Sequence, residues 1–238
     1  MRPLFLATAS ASARRARATR ATEARRTWRL LAGLAMLLGA NAASAAPMGF
    51  KESVMAMGDF GANWRESWAN YAFTARDAVG AGGLYMRSDD EAKSRTLAEL
   101  NYTRLFARWN LEDAQANVWL FAGVGAVRGN DFTGSKLVWA PGLQLDYETT
   151  RVYFATTARL YRATGLNHDF ASVRAGFSFY EVDYDEVQPW LVLEARRMRG
   201  LSDKTEITPM LRLIHNRYFV ELGVNNSAQA RANFMYVF

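Results

Sequence analysis

The stretch Leu137-Val138-Trp139-Ala140-Pro141-Gly142-Leu143-Gln144-Leu145-Asp146-Tyr147 decides the fold. Leu137, Trp139, Leu143, Leu145 and Tyr147 fall on one parity, and Ala140, Gly142, Gln144 and Asp146 on the other. Side chains of a β-strand alternate between its two faces, so this spacing makes one apolar face and one small or polar face.

The same period recurs along the chain. Val152, Phe154, Thr156, Ala158 and Leu160 alternate with Tyr153, Thr157, Arg159 and Tyr161. Val173, Ala175, Phe177 and Phe179 alternate with Ser172, Arg174, Gly176, Ser178 and Tyr180. Leu191 and Leu193 follow, then Tyr218, Val220, Leu222 and Val224, and last Phe234, Tyr236 and Phe238. The polar breaks alternate too. Short ones sit at Arg76-Asp77, 110–113, 148–150, 183–185 and His215-Asn216. Longer ones span 87–94, 128–135, 164–169, 199–204 and 225–228. Short turns on one side and longer loops on the other predict an all-β, antiparallel transmembrane β-barrel. Eleven strands count back from the C-terminus, and a weaker one at 49–57 makes the number even, as single-chain bacterial barrels require. Twelve strands are expected, with ten as the alternative if the first two segments form a plug or helix. Pro141 and Pro209 lie inside strands and each removes a ladder donor, so bulges are expected there.

Residues 1–45 read as a leader. Leu30 to Ala40 is an apolar run behind Arg25, Arg26 and Arg29, leading into Ala43-Ser44-Ala45. Basic flank, short apolar core and A-x-A site make a secretory signal. The run falls short of the ~20 residues a spanning helix needs. Cleavage after Ala45 leaves a barrel of residues 46–238. The net charge of +6 belongs to this leader, which holds eight of the 29 basic residues and one of the 23 acidic ones. The remainder has 21 basic against 22 acidic residues, which removes the electrostatic case for nucleic-acid binding. The absence of cysteine excludes disulfides and thiolate metal sites.

Period two alone does not say which face is inside. A soluble barrel would have to bury Arg159, Arg174, Glu194, Arg212 and Glu221 in a small dry core. Aromatics at the ends of the apolar faces (Tyr71, Trp139, Tyr147, Tyr218, Tyr236) suit interfacial girdles. The chain ends Phe234-Met235-Tyr236-Val237-Phe238. That ending resembles the C-terminal strand of Gram-negative outer-membrane β-barrel proteins, which finishes on an aromatic, usually Phe. The resemblance implies recognition by the barrel-assembly machinery and a periplasmic C-terminus.

With apolar faces outward, Arg159, Arg174 and Arg196 point into the lumen toward the longer loops, with Glu194 among them. Arg151 and Arg212 lie toward the short turns, and Glu221 neighbours Arg212. These residues make either an arginine-rich constriction favouring small anions or a set of Arg–Glu pairs bracing a closed lumen. Arg104 falls on the lipid face unless a bulge or a rim position relieves it. An enzymatic barrel needs a histidine within reach of its partners. His168, expected in a longer loop, and His215, in a short turn, fall on opposite sides. The acidic turns Asp89-Asp90-Glu91 and Asp183/Asp185/Glu186 lack a calcium-loop pattern, so no metal or cofactor is expected. Arg196-Arg197-Met198-Arg199 ends a strand where it could meet anionic headgroups. The expectation is a monomeric outer-membrane barrel in contact with lipid, acting as a narrow passive pore for small, anionic solutes. A closed structural or partner-binding barrel is the first alternative and a lipid-modifying or proteolytic one the second.

Overall fold

The computed structural model describes residues 46–183 and 185–238. The expected leader lies outside the described residues. The strands are β1 (Val54–Phe60), β2 (Trp64–Ala72), β3 (Asp77–Arg87), β4 (Ser94–Asn110), β5 (Ala114–Gly129), β6 (Ser135–Trp139), β7 (Gly142–Thr149), β8 (Val152–Ala163), β9 (Leu166–Ser178), β10 (Gln188–Arg199), β11 (Thr205–His215), β12 (Tyr218–Val224) and β13 (Ala230–Val237). Neighbours in sequence pair antiparallel, β5 and β8 each span both β6 and β7, and β13 returns to β1. β6 and β7 are therefore two halves of one strand, and twelve strands close the barrel.

Pro141 separates those halves without a bulge. Val124 pairs with Trp139 and Phe121 with Gly142, in one unbroken register. Gly123 and Ala140 exchange both backbone hydrogen bonds, at 3.0 and 2.9 Å, and the Pro141 carbonyl accepts from the Leu160 amide at 2.9 Å. The ladder loses one donor and nothing else. Pro209 likewise keeps register with Leu193, and pairing of β11 with β12 begins only at Met210. The bulge lies instead at Phe106, between the Leu105–Trp119 and Ala107–Val118 pairs. Next to it, Arg104 points outward and donates from Nη1 to Asp77 Oδ1 at 2.8 Å. A charge on the outer face is thus neutralised near the short-turn rim.

Three segments differ from the sequence-based expectation. β1 starts at Val54, because residues 46–53 run into the short-turn end of the lumen. Met48 is buried there, and Asn70 Nδ2 donates to the Pro47 carbonyl at 2.9 Å. The β8–β9 connection is a two-residue turn with Gly165 in the left-handed region (φ +68°), a conformation glycine adopts without a Cβ penalty. Leu166 and His168 continue the inward parity of β9, but the polar Asn167 and Asp169 between them read as loop. The longest connection, residues 179–187, joins β9 to β10 on the short-turn side.

The apolar faces point outward. Leu137, Trp139, Leu193 and Leu222 are each more than half exposed. A continuous apolar exterior of this extent is a lipid-facing surface. Tyr218, Tyr236 and Phe238 pack ring to ring at 4.6 and 4.5 Å on the short-turn rim, as an interfacial girdle does. Inside, apolar side chains gather at two levels. Trp64, Leu84, Met86, Leu97, Tyr161 and Met198 pack toward the longer loops. Met55, Tyr153, Trp190, Met210, Phe219 and Met235 pack toward the short turns. Met48 closes a smaller group with Leu105 and Trp119.

Candidate functional site: a charged belt in the lumen

Between the two apolar levels lies a belt of guanidinium and carboxylate groups. Its larger part is written into the register. Cross-strand pairing sets Arg174 of β9 opposite Glu194 of β10, Arg196 of β10 opposite Glu206 of β11, and Arg212 of β11 opposite Glu221 of β12. Opposite charges directly across a ladder attract. Arg196 Nε donates to Glu206 at 2.8 Å and Arg212 Nε to Glu221 at 2.8 Å. Arg174 pairs with the second oxygen of Glu221 and lies 4.0 Å from Glu194. Asp59 of β1 and Arg231 of β13 complete the chain. Arg231 reaches Asp59 at 2.8 Å, Glu194 at 3.2 Å and Glu206 at 3.5 Å, and Asp59 also meets Arg196 at 3.3 Å. Eight groups thus form one network along six adjacent strands.

On the facing wall, Arg159 of β8 spans to strands it does not pair with. Its Nη2 donates to Glu99 of β4 at 2.5 Å and its Nη1 to Glu66 of β2 at 3.3 Å. Gly123 of β5 makes the space. A Cβ there would stand 2.8 Å from Glu99 Oε2 and 2.9 Å from Arg159 Nη2. The belt holds five guanidinium groups and six carboxylates, so it is close to neutral.

A cavity of about 180 Å³ runs between the walls. Asp59, Glu66, Arg159, Arg174 and Glu194 line it with Trp64, Trp68, Tyr153, Tyr161, Phe170 and Phe219. Arg159 and Arg174 keep about 15% of their side-chain surface open to it, and the Nε atom of each has no hydrogen-bond partner among the described residues. Arg212 is sealed, with its guanidinium 4.2 Å from the Tyr153 ring and 4.8 Å from the Phe219 ring.

Of the residues named from the sequence, Arg159, Arg174, Glu194, Arg196, Arg212 and Glu221 come together in the belt. Arg151 stands apart at the β7–β8 turn, where it donates to the carbonyls of Ser178 and Phe179 at 3.3 and 2.9 Å. Sequence reasoning missed Asp59, Glu66, Glu99, Glu206 and Arg231. Arg231 was within reach, because it lies on the parity opposite Phe234 and Tyr236. His168 sits in β9 and not in a loop, buried with its ring stacked on Tyr161 at 4.6 Å. Neither of its ring nitrogens has a hydrogen-bond partner among the described residues. His215 meets the Asp185 carbonyl at 3.0 Å on the short-turn side.

No protein-family model and no curated protein matches the chain. Among solved structures, it is similar to the KdgM porin at 12% identity and a TM-score of 0.44, covering 78% of this chain and 98% of that one. The KdgM porin in complex with disordered oligogalacturonate gives 13% identity, a TM-score of 0.43 and the same coverage. CdiB from Acinetobacter baumannii gives 9% identity and a TM-score of 0.30, over 80% of this chain and 61% of that one. Strand pairing, closure of β13 on β1 and the outward apolar face make this chain a twelve-stranded β-barrel of the outer-membrane type.

Proposed function

We propose that the protein is a narrow outer-membrane channel for small polar solutes, with the charged belt as its constriction. The observation that carries this reading is the cavity itself, an accessible space in mid-lumen bordered by the partly open guanidinium groups of Arg159 and Arg174. Guanidinium edges facing a passage favour carboxylate and phosphate groups. The carboxylates that pair them keep the anion preference weak, because a solute charge meets both signs at each step. Export through a cleaved leader, insertion by the barrel-assembly machinery and function as a monomer belong to this reading. A hydrolytic role finds no support in the placement of the histidines, since His168 faces an aromatic ring and His215 a backbone carbonyl.

Planar-bilayer recording of the purified protein tests the proposal. Small, discrete conductance steps are expected, with a modest anion preference that falls in the Arg159→Ala/Arg174→Ala variant. Reversal potentials unchanged by that variant would separate selectivity from the belt. A second reading, a closed barrel that braces the envelope, is favoured by the apolar packing at both ends of the lumen. Folded protein that inserts but never conducts would establish it over the channel.

A further inference from the structure

The outer wall near the longer loops carries a basic cluster that the lumen does not use. On β10 the outward parity runs Leu191, Leu193, Ala195, Arg197, Arg199. On β9 it runs Val173, Ala171, Asp169, and on β8 Ala158, Leu160, Arg162. Pairing sets Arg199 beside Asp169, Asp169 beside Leu160, and Arg197 beside Ala171. Arg162 of β8 and Arg199 of β10 therefore flank Asp169 of β9, about two strand spacings or ~10 Å apart across the sheet, and Arg197 lies two residues from Arg199 along β10. One carboxylate serves two of them, since Asp169 pairs with both Arg162 and Arg199. Arg197 is exposed and has no ion pair or hydrogen bond among the described residues. The cluster carries two uncompensated positive charges.

Beneath it the wall is low. Ala158 pairs with Ala171, which flanks Arg197, and Thr156 and Ala195 both pair with Val173 in the next row toward the membrane centre. Leu160, Phe154 and Leu193 stand around this depression, each at least 40% exposed. Trp139, an amphipathic ring suited to the interface, is the cross-strand neighbour of Arg162. Charge above and a shallow apolar trough below match a ligand with phosphate at its head and several acyl chains below.

We propose that Arg162, Arg197 and Arg199 bind the phosphorylated sugar headgroup of an outer-leaflet glycolipid, whose acyl chains lie over the Ala158–Ala171 depression. Arg suits phosphate because its planar fork donates two hydrogen bonds to one group. A diphosphorylated headgroup matches the excess of two charges, whereas a single phosphodiester would leave one unmatched. The assignment rests on the outer-membrane reading of the barrel but not on conduction, so a silent barrel leaves it standing.

Native mass spectrometry of protein extracted in neutral detergent from cells expressing the full chain tests it. The probes are diphosphorylated lipid A, the same lipid with both phosphates removed, and dioleoyl phosphatidylglycerol. One tightly bound diphosphorylated lipid A is expected, with the other two weaker. Arg197→Ala/Arg199→Ala should weaken it roughly tenfold or more, as the loss of two phosphate contacts implies. Arg65→Ala/Arg128→Ala, elsewhere on the same rim, should leave it unchanged. Circular dichroism and resistance to unfolding in detergent confirm that each variant folds, which exposed arginines permit. Equal loss in both double variants would reduce the effect to general charge. Phosphatidylglycerol bound as tightly as lipid A would replace the glycolipid with a phospholipid. Either result overturns the proposal.

Discussion

Arg212 and Arg159 face the same lumen and are held in opposite ways. Arg212 takes its carboxylate from the residue directly across the ladder and is closed between two rings. Arg159 has no carboxylate on either neighbouring strand within the belt and reaches across the barrel to Glu66 and Glu99. The Arg212–Glu221 pair is a ladder property, fixed once the register is fixed. The pairing of Arg159 is a closure property, present only when distant strands have been brought face to face. Arg212 is sealed by the rings on either side of it, whereas Arg159, like Arg174 on the opposite wall, still borders open space.

Removing the hub of the ladder wall tests this contrast most strongly. Glu221→Gln leaves Arg174 and Arg212 facing each other without their shared carboxylate, and breaking a buried pair in this way costs about 3–5 kcal/mol. Urea unfolding in detergent or lipid vesicles measures it. Glu66→Gln should cost much less, because Arg159 retains Glu99, and similar losses for the two variants would erase the distinction between the walls. Gly123→Val is expected to push Arg159 away from Glu99, with an overpacking cost of about 1–3 kcal/mol. It should also change conductance, since Arg159 borders the cavity.

The smallest effect lies outside the membrane span. Two hydrogen bonds from Arg95 hold the Asp131 carboxyl below the usual carboxylate range. A carboxyl depressed by folding adds stability above its unfolded pKa and loses it as pH falls through the folded value. Tethering of the 130–134 loop should therefore be intact at neutral pH and weaken only in strong acid. Limited proteolysis across a pH series measures it, and Asp131→Asn should loosen the loop at every pH. Cleavage in the wild type that rises already above pH 5 would contradict the assignment.

Which parts of this were legible follows from the same contrast. The alternation of Leu137 to Tyr147 gives the strand and divides its two faces, because a one-residue slip would turn every side chain over. The charged inner parity and the aromatic ends turn the apolar face outward, and the alternating breaks give the strand count. Arg174–Glu194 and Arg212–Glu221 could be foreseen as neighbours, since both need only adjacent strands. Glu66 and Glu99 could not be joined to Arg159, because which strands face one another depends on barrel curvature and shear, which no local pattern encodes. Pro141 misled in the other direction. A missing donor suggests a bulge, yet Gly123 and Ala140 keep both bonds one residue away, so the register needs no adjustment. His168 misled because the outward polar residues of a strand that rises above the membrane look the same as a loop.

The pairing of β1 with β13 joins residues about 170 positions apart, with the Phe60 and Phe234 rings stacked outside and Asp59 bound to Arg231 inside. Every other stave can find its partner as soon as both are made. This seam cannot form until β13 has been made. The last strand is therefore the closing event of assembly, and a chain that lacks it would be a curled sheet with two unsatisfied edges in place of a smaller barrel. The aromatic terminus that first suggested a membrane protein is half of the latch.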